Sequence, residues 1–402
     1  MRIAAVRPVL LSAPYGNADN LEVELHLPGG YRTTGLVEIT LEGGTTGLGE
    51  GYMAVFAPKV FTALVDLLAP VLVGREAADI GARVRDMRRT TEYWSLQGAA
   101  RHAISALEIA LVDAVSKAMG IPAYRLLGGR MVEAITLYGS GGDSLTKAAM
   151  RAEIGLLADR GIGTFKIRAR RHEAAKAAWV MEAAAEAGIA VAVDMTQNLA
   201  EPAQSAGDVF GFLQDLAART ARPLAFLEEA LGPADLASYR LLRGRASTRI
   251  AGGETVTNPG ELCRRIAEGY YDLAQPDATV IGGMLATLEV FAAARAWGCQ
   301  AVVHAWGSAV GMLANYHAAF AGGGSLAEWP MPPYALRNDL LVEPLAIAAG
   351  RLSLSDQPGL GVALSPATEA KHAFRESAVY DCAPGQPRAS EWAARDGDPP
   401  AP

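Results

Sequence analysis

At 402 residues, half of them apolar and a fifth charged, the chain is long enough for a βα barrel of about 250 residues with a smaller domain beside it. A net charge of −7 and the lack of any basic cluster with interleaved aromatics argue against a nucleic-acid surface; Arg168, Arg170 and Arg171 are the densest basic run. No apolar run approaches bilayer length, Arg7 and Pro8 break the stretch a signal sequence would need, and Cys263, Cys299 and Cys382 show neither paired nor metal-type spacing, so a soluble cytoplasmic protein with reduced thiols is expected.

Near the N-terminus, Leu21-Glu-Val-Glu-Leu-His-Leu and Leu36-Val-Glu-Ile-Thr-Leu alternate as strands do. The run Gly47-Leu-Gly-Glu-Gly51 reads as a hairpin turn, because it lacks the strand–turn–helix context of a phosphate loop. Helices are predicted over 60–72, over 80–89 with Asp79 as cap, and over 99–119, the last ended by Gly120-Ile-Pro. After Leu126-Leu-Gly-Gly-Arg the texture changes to strict βα alternation. Strands at 135–139 and 163–168 are followed by helices at 146–160 and 172–187, and a further helix is read at 203–218. Later strands end at Asp194, Glu228, Glu254, Asp277, His304 and Glu328. Asn258, Pro259 and Glu261 mark one helix start. Eight strands with helices between them close most economically as a barrel, and the polar residues at the strand ends then share its C-terminal rim. The tail from about Asp381 has too little apolar content to pack and reads as a peripheral extension.

Three successive strands deliver acids to that rim: Ile189-Ala-Val-Ala-Val-Asp194, Pro223-Leu-Ala-Phe-Leu-Glu-Glu-Ala230 and Ile250-Ala-Gly-Gly-Glu254. Neighbouring buried carboxylates repel and resist desolvation unless a cation lies between them. Oxygen-only ligation with no Cys or His nearby points to Mg²⁺ on Asp194, Glu228 and Glu254. Three unrelated surface acids are the plainer reading of each taken singly; their register favours a site.

Lys166 and Arg168, two apart on a strand, point the same way into the barrel mouth. Beside a guanidinium and a metal, Lys166 is expected to have a lowered pKa, acting as a neutral base or else as a cationic donor to a substrate carboxylate. His304 and Asp277 end adjacent strands, and a carboxylate on one imidazole nitrogen fixes the tautomer and raises basicity. His317, His26, His102, His172 and His372 read as structural. The assembly suits removal of a proton next to a carboxylate, with Glu328, if protonated, adding a hydrogen bond.

At these residues the sequence resembles the mandelate racemase and muconate-lactonizing branch of the enolase superfamily. The resemblance rests on Gly47-Leu-Gly-Glu-Gly and Ala103-Ile-Ser-Ala-Leu-Glu-Ile-Ala-Leu-Val-Asp113 in the first part. In the second it rests on Phe165-Lys-Ile-Arg, Val193-Asp-Met-Thr-Gln, Phe226-Leu-Glu-Glu, Ala251-Gly-Gly-Glu, Gln275-Pro-Asp-Ala-Thr-Val-Ile-Gly-Gly and His304-Ala-Trp-Gly. It implies an α/β fold: a modified TIM (β/α)7β barrel at 129–345 under an α+β capping domain at 1–128, with 346–402 returning to the cap. It also implies Mg²⁺ on the three acids and the His304–Asp277 dyad as base. The partner is a small-molecule carboxylate, with no nucleic acid and no membrane, and a homo-oligomer is expected. Substrate contacts are expected from Arg168, Glu328, Thr196, Trp306 and Tyr52, with Tyr15, Asn17 and Trp94 as further candidates on position alone.

The chain departs from the family's pattern in three places. Thr196 stands where Asn is frequent, Ala230 where Pro follows the paired acids, and Arg168 where a lysine base is usual. A guanidinium stays protonated and is a poor base. One confident base suits dehydration of a sugar acid through an enolate, the imidazolium returning its proton to the departing hydroxide. Cycloisomerisation of a sugar lactone is the nearest rival. A racemase or epimerase with Lys166 as second base comes third, and an acid-binding barrel without turnover is the non-enzyme reading.

Overall fold

The computed structural model describes residues 1–17, 19–197, 203–383 and Trp392; the tail read as a peripheral extension lies almost wholly outside the described residues. Strands β1 (Ile3–Pro14), β2 (Tyr31–Leu41) and β3 (Thr46–Glu50) form an antiparallel sheet in that order. Helix Ala99–Ala118 lies against β3 so closely that a Cβ at Gly49 would stand 1.8 Å from the Ala106 carbonyl oxygen, and one at Gly47 2.3 Å from that of Ala110. The glycine run expected as a turn is therefore itself strand, its glycines there for helix-on-strand packing; the turn is at 42–45.

Two further expectations are corrected in this region. Leu21–His26, read as a strand, is a short helix capped by Asn20, whose side chain accepts from the Val23 N–H at 3.1 Å. Glu22 and Glu24 lie in its first turn, where the helix dipole favours acids. Over six residues, alternation of apolar and acidic side chains does not separate the two structures. Asp79 precedes helix Ile80–Thr91 but makes no side-chain capping bond.

The parallel strands are β4 (Ile135–Ser140), β5 (Thr164–Arg168), β6 (Ala190–Asp194), β7 (Leu227–Glu228), β8 (Ile250–Gly252), β9 (Leu273–Ala274), β10 (Gln300–Ala301) and β11 (Leu326–Pro330). They pair in sequence from β4 to β10; β11 pairs with β4, and a Val303–Ala327 bridge closes the ring. An α-helix fills each of the seven connections, and among the described residues only a 3-10 turn, Ala335–Arg337, follows β11 directly. The fold is thus a (β/α)7β barrel. Thr146, Ser205 and Asn258 cap their helices through side-chain oxygens, Ser205 in a full capping box with Asp208.

Inside the ring, Tyr138, Ala192, Phe226, Ala251, Leu273 and Val302 pack as a cluster apart from the main core. Side chains alternate along a strand, so Asp194, Glu228, Gln275 and His304, each two residues beyond a member of that cluster, form the next layer toward the C-terminal end. The apolar layer is the floor of the site. β12 (Ala346–Ala348) and β13 (Arg351–Ser353) add an antiparallel hairpin to β4. The return to the first sheet begins beyond them, where Ala373 bridges Leu11 and Glu369 pairs with Arg7 at 2.8 Å.

Glu50, the last residue of β3, ties the cap to the barrel. Its buried carboxylate accepts from the Ser308 N–H at 3.1 Å, the Ser308 hydroxyl at 2.6 Å and the Gly311 N–H at 2.8 Å, at the start of helix Ala309–Gly322. An acid at a helix N-terminus is favoured, and here it also fixes the loop that carries His304 and Trp306. A Cβ at Gly307 or Gly311 would come within 2.8 or 2.9 Å of that carboxylate. Glu50→Ala strands these buried donors and is expected to cost about 3 kcal/mol, since each orphaned group costs roughly 1–3 kcal/mol and the site relaxes in part. A fall in the urea midpoint that Glu50→Gln partly restores checks this; an unchanged midpoint in the alanine variant refutes it.

Candidate active site

A cavity of about 450 Å³ lies over the C-terminal ends of the barrel strands and under the cap. Asp194 and Glu228 are paired directly across β6 and β7. Asp194 accepts from the Thr196 N–H at 2.7 Å, an arrangement that takes Thr196 to a φ of +44°. Glu254 is reached differently. Ala251 faces the barrel interior, so unbroken alternation would turn Glu254 outward; Gly253 at φ +110° breaks the phase and lets Glu254 line the cavity.

Glu229, given no role from the sequence, supports that bend. It sits at φ +41°, and its carboxylate accepts from the Gly253 N–H at 2.7 Å and the Tyr239 hydroxyl at 3.4 Å. The only signal for it was its place beside Glu228.

His304 carries the base geometry. Its Nδ1 is 2.7 Å from Asp277 Oδ2, while Nε2 faces the cavity 3.4 Å from Glu254 and 3.7 Å from Glu328. Asp277 is in turn held by the Thr279 N–H, the Thr279 hydroxyl and Asn315 Nδ2, each at 2.8 Å. A carboxylate so held accepts the Nδ1 proton and leaves Nε2 as the working atom. Burial opposes charge on the ring, but Glu254, Glu328 and Asp277 outweigh it and push the imidazole up to about 10.

Lys166 bonds Glu228 and lies 2.9 Å from Glu328, above the Tyr138 ring. The lowered pKa expected for it is not what these surroundings give. Burial opposes its charge, but Glu228 and Glu328 hold the ammonium well above its ordinary range. Glu328 is corrected with it: burial is outweighed by Lys166, His304 and the Ala305 N–H, which hold the carboxyl far below its usual range. It is an anion rather than a protonated donor.

Arg168 bonds Asp143 and stacks its guanidinium 4.7 Å over the Trp306 ring, whose other neighbour is Arg337 at 5.6 Å. Tyr52 stands edge-on to the His304 ring at 6.1 Å. Thr196, Trp306 and Tyr52 all line the cavity, as do Arg168 and Glu328. Of the other positional candidates, Tyr15 is buried behind the wall, while Trp94 is half exposed and bonded to Thr90 outside the cavity, which Asn17 does not line either. His26, read as structural, also lines the cavity, stacked on Tyr380 at 4.3 Å and donating to the Asp381 carbonyl at 2.8 Å.

The donor set fits a hard divalent cation in chemistry, being oxygen only. Burial pushes Glu228 up to about 8, Asp194, Glu254 and Glu328 add to the rise, and Lys166 opposes it; more positive charge is called for than the site contains. Among the described residues, no three His, Cys, Asp or Glu side chains close around one point to hold a metal ion. Glu228 is turned onto Lys166 and onto Gln275, the latter at 2.5 Å.

Over residues 149–368 the chain matches the family model described as enolase C-terminal domain-like, and over 30–128 that of the mandelate racemase / muconate lactonizing enzyme N-terminal domain. The D-xylonate dehydratase of Haloferax volcanii is 24% identical over a 406-residue alignment covering 95% of this chain and 96% of that protein. The D-gluconate dehydratase of Thermoproteus tenax is 26% identical over 365 residues, 86% of this chain and 70% of that protein. Among solved structures, the 3,6-anhydro-D-galactonate cycloisomerase from Zobellia galactanivorans aligns with a TM-score of 0.81 at 23% identity, covering 93% of this chain and 100% of that one.

Proposed function

We propose, from the premise that the chain belongs to the mandelate racemase and muconate-lactonizing branch of the enolase superfamily, that it dehydrates a sugar acid in a Mg²⁺-dependent reaction. Curated relatives across nearly its whole length are named as sugar-acid dehydratases. Asp194, Glu228 and Glu254 would hold the ion, which when bound offsets the charge that builds on the substrate carboxylate as its α-proton leaves. Arg168, already cationic, adds to that stabilisation from the cavity wall.

The observation that carries the reading is the inequality of the cavity's titratable groups. His304 presents Nε2 with Asp277 behind it, whereas Lys166 is clamped between two carboxylates and Arg168 is bonded to another. One base therefore serves one face of the substrate. Nε2 takes the α-proton, the C–H pair becomes the enolate double bond, and the C–O bond to the β-hydroxyl breaks as the imidazolium returns the proton to the departing oxygen. Water and an enol result, and the enol tautomerises to a 2-keto-3-deoxy acid. If Glu254 served as a metal ligand, its pull on the imidazole would weaken and the ring would move toward the neutral form a base requires.

Incubating the protein and MgCl₂ with a panel of C5 and C6 sugar acids and their lactones in D₂O tests this. A 2-keto-3-deoxy product with no recovered C2 epimer is expected. Scrambling at C2 without water loss would replace the dehydratase with the epimerase, and opening of a lactone ring without water loss with the cycloisomerase. Binding with no exchange of substrate hydrogen would leave only the acid-binding barrel.

A further inference from the structure

Beyond His304, the cap side of the cavity holds a second cation that the chemistry above does not use. Arg32, on β2, is 1% exposed and lines the cavity. Its guanidinium lies between two aromatic rings, 4.9 Å from the Tyr15 centroid and 5.5 Å from that of Tyr52. Nη2 donates to the Tyr52 hydroxyl at 3.1 Å, while among the described residues the buried Nη1 has no hydrogen-bond partner and no carboxylate forms an ion pair with the group. The other lysine and arginine cations of the cavity are provided for: Lys166 by Glu228 and Glu328, Arg168 by Asp143, and the part-exposed Arg170 by the Met195 carbonyl at 2.9 Å. Glu22, the acid on the same wall, takes the Tyr15 hydroxyl at 2.8 Å. Glu22 and Glu50 act on the guanidinium only at a distance; a buried guanidinium with an unbonded donor and no carboxylate in direct contact is costly unless a ligand supplies one, and its planar fork matches a carboxylate.

We infer that Arg32 binds a second, distal carboxylate of the substrate, so that the sugar acid is a polyhydroxy dicarboxylic acid rather than a monocarboxylic one. This rests on reading the cavity as a sugar-acid site. The reacting carboxylate would lie among Arg168, Lys166 and the three acids, and the distal one would meet Arg32, whose guanidinium touches the same Tyr52 ring that stands near His304. Tyr52, bonded to Arg32 and edge-on to His304, couples the anchor to the base. Binding energy from an end of the substrate that does not react is then available to position the end that does.

The test compares acids matched in configuration and differing only at the terminal carbon: galactarate against galactonate, and glucarate against gluconate. Dissociation constants are read by thermal-shift titration in MgCl₂. In the wild type the diacid of at least one pair is expected to bind tenfold or more tightly than its mono-acid. In Arg32→Met that ratio should fall to near one, and Arg32→Lys, which keeps the charge and the stacking, should retain part of it. Melting temperatures of the ligand-free variants separate loss of fold from loss of the anchor, and Arg32→Lys carries the test if the methionine variant does not fold. Equal binding of diacid and mono-acid in the wild type overturns the inference, as does a ratio that survives in Arg32→Met. A diacid preference that depends on Arg32 without any water loss would sink the dehydratase reading and leave the anchor standing. Failure of all four acids to bind would sink both.

Discussion

His304→Asn is expected to reduce turnover by at least about 10³-fold, toward the upper end of the 10²–10⁴ typical of a general base. Asparagine retains a polar group for Asp277, so the network through Thr279 and Asn315 persists, but it has no atom that takes a proton near neutrality. No neighbour is placed to substitute, because Lys166 is held protonated by Glu228 and Glu328. The loss should fall on kcat, with KM little changed, since the binding groups stay in place. Arg168→Lys is the informative partner. It puts an amine on the opposite wall, but Asp143 faces that position and holds it charged, so solvent hydrogen should still enter with a single stereochemical sense. Entry with both senses in either protein would mean a second working base and would return the site to an epimerase. A His304→Asn enzyme with more than a tenth of wild-type turnover would remove the imidazole from the mechanism.

How far the site is legible in the sequence follows from the period of a strand. Asp194, Glu228 and His304 end apolar runs whose inward members form the barrel floor, so alternation alone places them in one layer. Lys166 and Arg168 were legible for the same reason. Glu254 and Glu229 depend instead on backbone at positive φ, which leaves no periodic trace beyond the glycines. Protonation states were the least legible. Of the two states left open for Lys166 the surroundings favour the cation, and Glu328 is held charged where the sequence leaves a protonated form open, because the deciding neighbours are one another, brought together only when β11 pairs with β4 and completes the ring. The cap's contributions were also hidden. Arg32 precedes the alternating stretch that begins at Leu36 and lies in a part of β2 buried at every residue from 32 to 37, and Glu50 lay in a glycine run read as a turn. Their meaning appears only where the sheet meets the barrel.

Glu228→Gln is expected to abolish Mg²⁺-dependent activity while leaving the fold intact, and the structure gives the reason the second clause holds. The carboxylate is 0% exposed and sits between Lys166 and Gln275; an amide of nearly the same volume keeps an acceptor oxygen for the Lys166 ammonium. Burial and three other carboxylates already disfavour charge at this position, so losing that charge relieves repulsion in the ligand-free protein, and the melting temperature should be unchanged or higher. The loss is instead in affinity for the ion, since an amide oxygen is a weaker ligand than a carboxylate for a hard divalent cation. Calorimetric titration with MgCl₂ should show Mg²⁺ binding in the wild type, and in the variant at least about tenfold weaker binding, the scale of losing one ionic ligand contact of about 1.4 kcal/mol or more. Titration without substrate separates this from any effect on turnover. Equal Mg²⁺ affinity in the two proteins, or full wild-type activity under excess chelator, would show that Glu228 serves Lys166 alone.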